Sequence, residues 1–455
     1  MSFQRILTPF AFLCFFFVCA SGQAQVAETP PMGWNSYNCY GSAVHEDEVK
    51  ANTDYMSARL KRFGWQYIVV DFLWSYPNPP LSHLGTIPQK RLEDGSYIPW
   101  LEMDQWGRLI PDAHKFPSAT AGRGFRPLAD YIHQAGLKFG IHVMRGIPRQ
   151  AVFARTPVFG APGITADMIA DTNSVCPWNN HMYGLDMKKK GAQEYLNSLL
   201  QLYAFWQVDF IKVDDLARPY STAEVEGYRT AIDNSRRPMV FSLSPGATPL
   251  SKAAHVAGYG TMWRLADDFW DSWAELLQMF TVAKAWEGTG GPGHWPDCDM
   301  LQIGKLSKRG PVGPERYSRL TPDELTSHMT FWAIYRSPLM IGGNLPENRP
   351  AEDSLYTNAE VIAVNQHGEQ PREVFADSTH LIWISGNSRS NSLNIAVFNL
   401  SASPAQIQVN FSALGLAGQI KVRDTWTRKE LGLFNKQISP LIGPHGAVLL
   451  KLTRE

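Results

Sequence analysis

The chain has 455 residues, more than one ordinary domain needs, although a barrel domain can run past about 250 residues as a single unit. Hydrophobic residues make up 44% of it and charged residues 18%, so the chain can bury a large core and is not a mainly disordered protein. Lys and Arg together number 42, as do Asp and Glu together, and no basic stripe stands out, which argues against a nucleic acid partner.

The N-terminus has the pattern of an export signal. Arg5 supplies a positive charge, residues 10–20 are apolar, and small residues around Ala20 and Ala24 offer cleavage sites. The apolar stretch is too short to span a bilayer. We therefore predict a signal peptide over residues 1–24 and a secreted or periplasmic protein, without a membrane span.

Helical spacing and short apolar runs alternate along the next three hundred residues or so. The predicted strands are 67–71, 138–144, 209–215, 239–244, 262–268 and 338–342. The predicted helices are 45–63, 125–135, 191–206, 222–235, one that ends at 285, and 321–337. About eight strand–helix units in a row predict an α/β fold with a parallel sheet, and this length fits a (β/α)8 TIM barrel with inserted loops. The alternative is a doubly wound sheet, but no Gly-rich phosphate loop follows a first strand.

Two long segments, 76–123 and 146–190, show no clear periodicity of apolar residues. Loops of this length are usually functional or disordered. Both follow predicted strands, so we expect them to shape one side of a binding site.

The sequence pattern changes at about residue 374, where short strand-like runs are separated by Asn, Ser, Gly and Pro. This pattern predicts a C-terminal antiparallel β-sandwich domain over residues 371–455, after a barrel domain over 25–370. The second domain has no cluster of His, Asp and Glu, so we interpret it first as packing support and second as a sugar-binding module.

The stretch 209–215 (Asp-Phe-Ile-Lys-Val-Asp-Asp) places charges inside an apolar strand. Such charges are costly unless they are paired. Lys212 and Asp214 are two residues apart and so face the same side of a strand. They can share a polar pocket at the strand's C-terminal end, where a parallel barrel carries its active site. A buried structural ion pair would give the same pattern.

Polar or aromatic side chains mark the ends of the other predicted strands as well, and in a barrel they converge on one mouth. The set is Trp34, Asp71, His142, Lys212 with Asp214, Ser244, Arg264 with Asp268, and Asp299. Outside the signal the cysteines are Cys39, Cys176 and Cys298, an odd number without metal-ligand spacing. We predict neither a metal nor another cofactor.

Several motifs, in order, resemble glycoside hydrolase family 27, the α-galactosidase or melibiase family. They are Met-Gly-Trp-Asn-Ser at 32–36, Tyr-Ile-Val-Val-Asp at 67–71, Lys-Val-Asp at 212–214, Trp-Arg-x-x-x-Asp at 263–268, Asp-Cys-Asp-Met at 297–300 and Val-Ile-Ala-Val-Asn-Gln at 361–366. The resemblance covers roughly residues 28–370, and the β-rich tail matches the family's C-terminal module.

The resemblance implies a retaining hydrolase that forms a covalent glycosyl-enzyme, with Asp214 as the nucleophile and Asp268 as the general acid/base. The two carboxyl groups of such a pair are expected about 5–5.5 Å apart. Asp267 is an alternative acid. Lys212 next to the nucleophile would favour its ionised form. The resemblance also implies a substrate-binding set: Trp34, Asp71, His142, Lys212, Ser244, Arg264 and Asp299.

The sequence departs from the family pattern in the residues that would contact the sugar. Phe72 stands where many members have a second Asp, and His142 stands where they more often have Tyr. Ser244 replaces a larger or acidic residue, as in related N-acetylgalactosaminidases, and Leu73 and Leu216 replace disulfide cysteines. We therefore rank three substrates: terminal α-galactosides first, then α-N-acetylgalactosaminides, then β-L-arabinopyranosides. A sugar-binding protein without hydrolytic activity is the alternative from another functional class.

Overall fold

A computed structural model describes residues 26–77, 89–91, 97–244, 246–386 and 391–455. The predicted signal peptide, residues 1–24, lies outside the described residues, as does Pro245. Among the described residues, no helix is both long enough and apolar enough to cross a membrane.

The first part of the chain forms an eight-stranded parallel sheet within the described residues. Its strands are β1 (Met32–Asn35), β2 (Tyr67–Val70), β3 (Lys138–Met144), β4 (Phe210–Asp214), β5 (Val240–Leu243), β6 (Met262–Arg264), β7 (Trp295–Asp297) and β8 (Leu339–Ile341). The strand order in the sheet is β7-β6-β5-β4-β3-β2-β1-β8. Leu301, just after β7, bridges in parallel to Ile341 and so connects the two ends. This is the predicted (β/α)8 barrel.

A helix follows each of the eight barrel strands. They are α1 (Glu46–Tyr55), α2 (Arg126–Gln134), α3 (Ala192–Phe205), α4 (Thr222–Ser235), α5 (Ala253–Tyr259), α6 (Trp273–Ala285), α7 (Pro322–Tyr335) and α8 (Ala359–His367). Short additional helices cover Tyr37–Tyr40, Arg149–Ala154, Ala166–Ile169 and Pro350–Tyr356. After α1 the chain continues as a π-helical turn over Met56–Leu60 and a 3-10 turn over Lys61–Phe63. The helix ends at Gly64, whose φ of +100° suits glycine. The predicted end of this helix at residue 63 is confirmed.

The two long segments without sequence period both follow barrel strands. Gln89–Arg91 pairs with Tyr97–Pro99 in a small hairpin after β2. The segment after β3 is more ordered than the sequence indicates, because Ile147–Pro148, Met182–Leu185 and Ala170–Val175 form a three-stranded antiparallel sheet.

The C-terminal part is an antiparallel β domain. Its main sheet contains β9 (Arg372–Ala376), β10 (His380–Ser385), β11 (Ser392–Asn399), β12 (Ile420–Asp424), β13 (Lys429–Phe434) and β14 (Ala447–Arg454), in the order β9-β10-β11-β14-β12-β13. Two short pairs face it, Ala405–Gln406 with Leu441–Ile442 and Val409–Asn410 with Gln437–Ile438. They share an apolar core with the main sheet.

The β domain packs on the barrel through α7. The Trp383 ring lies edge-on to Phe331, 5.6 Å between centroids, and Phe398 also contacts Phe331. The Trp426 Nε1 donates to the Thr330 hydroxyl at 2.8 Å. Buried aromatic contacts of this kind dominate interface energetics, so the domain supports the helix that leads into β8.

Candidate active site

A cavity of about 520 Å³ opens at the C-terminal ends of the barrel strands. Its lining consists of Tyr37, Asp71, Phe72, His142, Pro177, Trp178, Lys212, Asp214, Asp215, Arg218, Gly246, Asp267 and Asp268. Five of the predicted site residues are therefore brought together around one cavity: Asp71, His142, Lys212, Asp214 and Asp268.

Asp214 is the last residue of β4 and is almost fully buried. Its Oδ2 accepts a hydrogen bond from the His142 Nε2 at 2.9 Å. Its Oδ1 is buried and has no hydrogen-bond partner among the described residues. Burial raises the pKa of Asp214, the bond and charge of His142 and the charge of Lys212 lower it, and the pKa settles at about 6. Asp214 is therefore mostly ionised at neutral pH, with one oxygen uncommitted.

Lys212 and Asp214 line the same cavity, but the Lys212 ammonium bonds to a different carboxylate. Its Nζ lies 2.9 Å from the Asp71 Oδ2, which also accepts from the Asn35 Nδ2 at 2.7 Å. The Phe72 backbone amide donates to the other oxygen of Asp71. Burial alone would raise the pKa of Asp71, but Lys212 and these bonds hold it well below its usual range. Lys212 acts on Asp214 only through its charge.

The second ion pair lies on the other side of the barrel mouth. Arg264 is 1% exposed, and its Nη1 contacts the Asp299 Oδ1 at 2.8 Å. The same guanidinium lies 3.4 Å from the Asp268 Oδ1. The other oxygen of Asp299 accepts from the Phe269 amide. Arg264 and Asp299 are absent from the cavity lining, so in this structure they support Asp268 from behind.

Asp267 and Asp268 follow β6 rather than belonging to it, which corrects the predicted strand 262–268. β6 ends at Arg264, Asp267 lies in the bend that follows, and Asp268 comes directly after the bend. Asp267 is 64% exposed and forms an ion pair with Arg218, whose Nη1 lies 3.1 Å from its Oδ2. Asp268 is 39% exposed and has the weaker contact with Arg264. Asp268 thus has the less committed carboxylate of the two.

Two predicted binding residues lie behind the cavity wall. Trp34 has no exposed surface, and its Nε1 donates to the Gly343 carbonyl at 2.8 Å. The Ser244 side chain is buried, and its hydroxyl has no partner among the described residues. A sugar could contact either side chain only after a rearrangement, so in this conformation neither side chain is accessible for the sugar contact expected of it.

Tyr37 is one of the lining residues that the sequence analysis did not predict, although it lies just beyond the motif at 32–36. Burial raises its pKa well above the usual value, and the charges of Asp268, Asp71 and Asp214 raise it further. These charges act together on one phenol because it lies among them. The signal was a second aromatic residue three positions after Trp34.

The aromatic residues of the cavity form a wall around Phe72. Its ring lies edge-on to His142 and to Tyr37, at centroid distances of 5.5 and 6.5 Å. It also lies 5.7 Å from Trp178. Trp178 comes from the segment inserted after β3 and remains 50% exposed. The sequence around Trp178 shows no hydrophobic periodicity from which its place in the cavity could be predicted.

The three cysteines outside the predicted signal are Cys39, Cys176 and Cys298, and all are buried free thiols. Cys176 is near the catalytic face, where burial and the charge of Asp215 raise its pKa to about 12. The thiol therefore stays protonated and is a poor nucleophile.

Two protein-family models match the chain. Residues 185–367 match the model described as alpha galactosidase A. Residues 377–452 match the model of the alpha galactosidase C-terminal beta sandwich domain. The first match includes the region from β4 to β8, and the second covers most of the β domain.

Individual proteins resemble the chain over nearly its whole length. A β-L-arabinopyranosidase of glycoside hydrolase family 27 from Geobacillus stearothermophilus, solved with arabinose, is 46% identical with a TM-score of 0.89, covering 94% of this chain and 98% of that one. A putative α-N-acetylgalactosaminidase from Bacillus halodurans is 42% identical with a TM-score of 0.83, covering 95% and 99%. An α-galactosidase from Cyamopsis tetragonoloba is 27% identical, covering 94% and 87%.

Proposed function

Because the chain belongs to glycoside hydrolase family 27, we propose that it removes terminal α-linked galactose from oligo- or polysaccharides with retention of configuration. The observation that carries the proposal is the Asp214 carboxylate. One of its oxygens is oriented by His142, and the other is buried and has no hydrogen-bond partner among the residues that the structure describes. A nucleophile needs such an ionised, positioned and uncommitted oxygen.

In the first step, the Asp214 Oδ1 attacks the anomeric carbon of the terminal sugar. The bond from this carbon to the glycosidic oxygen breaks, and Asp268 gives its proton to that oxygen as the leaving alcohol departs. In the second step, Asp268 takes a proton from a water molecule, whose oxygen attacks the same carbon and releases Asp214. The net reaction consumes one water molecule and restores both carboxyl groups.

The remaining side chains bind and orient the sugar. Asp71 and Lys212 are held by each other at 2.9 Å and both reach the cavity, so together they offer an acceptor and a donor to ring hydroxyls. Because both are already fixed before the sugar arrives, little ordering is needed on binding.

A second candidate is the hydrolysis of β-L-arabinopyranosides, which have the ring stereochemistry of galactose but no hydroxymethyl group. Phe72 favours it, since an apolar ring replaces a carboxylate that would accept from a hydroxyl. The Phe72 ring is buried between Tyr37, His142 and Trp178, which leaves a tight apolar wall at this place. The Geobacillus enzyme, 46% identical, is itself a β-L-arabinopyranosidase.

The test is hydrolysis of three aryl glycosides by the purified protein: the α-galactoside, the β-L-arabinopyranoside and the α-N-acetylgalactosaminide. We expect turnover of the α-galactoside or the β-L-arabinopyranoside. This turnover should be lost in Asp214→Ala and retained in Asp267→Asn. Preferential turnover of the third would contradict both candidates and point to room beside Ser244. Saturable sugar binding without turnover of any would mean that the barrel only binds. Proton NMR of the first product formed checks retention of configuration.

We also propose that the protein is exported to the periplasm or the exterior. The proposal rests on the charge and apolar run of residues 1–24. Expression of the full chain in a bacterial host and N-terminal sequencing of the periplasmic protein test it. A protein that stays in the cytoplasm with its first residues intact would contradict it.

A further inference from the structure

The backbone takes an unusual conformation directly after Asp214. Asp215 has a φ of +64°, in the left-handed region, which is unfavourable for most residues with a side chain and is tolerated best by Asn and Asp. Such a conformation persists where the surrounding structure holds it. Because Asp214 and Asp215 share a peptide bond, the contacts that hold Asp215 also fix the direction in which the Asp214 side chain leaves the end of β4.

Arg145, the residue after β3, holds this turn. It is 3% exposed, and its backbone amide donates to the Asp214 carbonyl at 3.1 Å. Its Nε donates to the Asp215 carbonyl at 2.6 Å and lies 3.0 Å from the Asp215 Oδ2. One buried residue therefore fixes two successive carbonyls and a carboxylate at the end of the strand that carries Asp214.

The Arg145 guanidinium is itself fixed from two sides. Its Nη1 donates to the Glu224 Oε1 at 2.8 Å, in the first turn of α4. Its Nη2 donates to the Ser174 hydroxyl at 2.9 Å, in the small sheet inserted after β3. A Cβ added to Gly184 of that sheet would lie 2.5 Å from Nη1, so the sheet packs directly on the guanidinium. A planar guanidinium presents its donors in a fixed fork, so α4 and the inserted sheet together hold the end of β4.

We propose that Arg145 and Asp215 are positioning residues that aim the Asp214 carboxylate at the anomeric carbon of the sugar. The inference rests on the proposed function, because aim matters only if Asp214 is the nucleophile. A misplacement of about 1 Å can lower a rate by about 100-fold. Binding of the sugar depends instead on Asp71 and Lys212, which pair with each other. Loss of the Arg145 contacts should therefore lower kcat and leave the affinity for the sugar nearly intact.

The test compares variants at the two ends of β4. Arg145→Lys removes the forked contacts after the strand. Arg237→Lys is the matched control, because the Arg237 Nε and Nη2 donate to the Val208 and Gln207 carbonyls before the strand, at 2.7 and 3.1 Å. kcat is measured with the best aryl glycoside, and equilibrium dialysis with the labelled monosaccharide that it releases counts the chains with an intact sugar site. In Arg145→Lys, kcat per bound equivalent should fall about 100-fold while the dissociation constant of the sugar changes by less than about threefold. Neither quantity should change in Arg237→Lys.

Asp215 provides a second test, which decides if Arg145→Lys does not fold. Asp215→Ala removes the carboxylate and disfavours the left-handed backbone, so kcat per bound equivalent should fall about 100-fold. Asp215→Asn keeps an oxygen for Arg145 and tolerates the conformation, so it should retain at least about ten times the activity of Asp215→Ala. A structural role alone would lower kcat and the bound equivalents together, and an unchanged quotient in Asp215→Ala, or an equal fall in Arg237→Lys, would overturn the proposal. An unaltered chain that binds the sugar but hydrolyses no glycoside would refute the proposed function and this inference with it.

Discussion

Replacing His142 with Leu is expected to move the acidic limb of the pH profile of kcat/KM to higher pH. Burial holds the pKa of Asp214 at about 6 even though the His142 bond lowers it. A hydrogen bond to a charged group contributes about 1.5–3 kcal/mol, and one pKa unit corresponds to about 1.4 kcal/mol. Loss of the 2.9 Å bond should therefore raise the pKa by about one to two units.

The sign follows from the role of Asp214. Its ionised form attacks, so activity is present above its pKa and is lost as the pH falls through it. kcat/KM reports the free enzyme, and it should be measured with the best aryl glycoside from acid to alkaline pH. The control is His133→Leu, because His133 makes a similar bond, 2.7 Å, to Asp209 just before β4. A limb that stays in place or moves to lower pH in His142→Leu would refute the assigned role of this bond.

Three further predictions concern the acid, the apolar wall and the core. Asp268→Asn should lower kcat/KM by about 10²–10⁴-fold, as loss of a general acid does, whereas Asp267→Asn should change it little. Both are measured with the same aryl glycoside, and a larger loss of kcat/KM in Asp267→Asn than in Asp268→Asn would make Asp267 the acid. Phe72→Asp should raise the ratio of kcat/KM for the α-galactoside to that for the β-L-arabinopyranoside by about tenfold or more, because it restores an acceptor for a hydroxyl; an unchanged ratio would show that Phe72 does not contact the sugar. His328 is buried with both ring nitrogens unpartnered among the described residues, and burial lowers its pKa to about 3. Its contribution to stability is complete above its unfolded pKa and is lost as the pH falls below it, by about 2 kcal/mol between pH 6.5 and 5. Urea unfolding at pH 7 and pH 5 should therefore show a smaller loss of the free energy of unfolding in His328→Leu than in the unaltered chain, and equal losses would contradict this.

The barrel could be predicted because each buried strand is a short apolar run that ends in a polar residue. β3 and α4 have the predicted bounds. The side-chain pairs were less predictable, because a partner across the barrel is far away in sequence. Lys212 and Asp214, two residues apart, line the same cavity, but the Lys212 Nζ bonds to Asp71, 141 residues away. Asp71 follows β2 and Lys212 lies on β4, with β3 between them, so the closure of the barrel, rather than spacing along one strand, decides which side chains meet.

The cavity wall was predicted in part for a related reason. Asp71, His142 and Asp214 could be predicted from the sequence, because they lie at or near strand ends and strand bounds can be inferred from apolar runs. Trp178 comes from an inserted segment whose small sheet depends on pairings between residues 147–148, 170–175 and 182–185. Such pairings leave little local signal. Trp34 was expected to face the sugar, but the structure buries it in the barrel core, because position along a strand does not say how deep a side chain lies.

The pairing of the carboxylates also argues for the assigned roles. Both oxygens of Asp71 and both oxygens of Asp299 accept hydrogen bonds or ion pairs from the protein. These groups are fixed and neutralised before any ligand arrives. Asp214 is as buried as they are, yet within the described part of the chain only one of its oxygens has a hydrogen-bond partner. Buried polar atoms are nearly always paired, so an unpaired oxygen on the cavity wall is costly for the free protein. The cost is recovered if that oxygen bonds to the substrate, as the proposed nucleophile does.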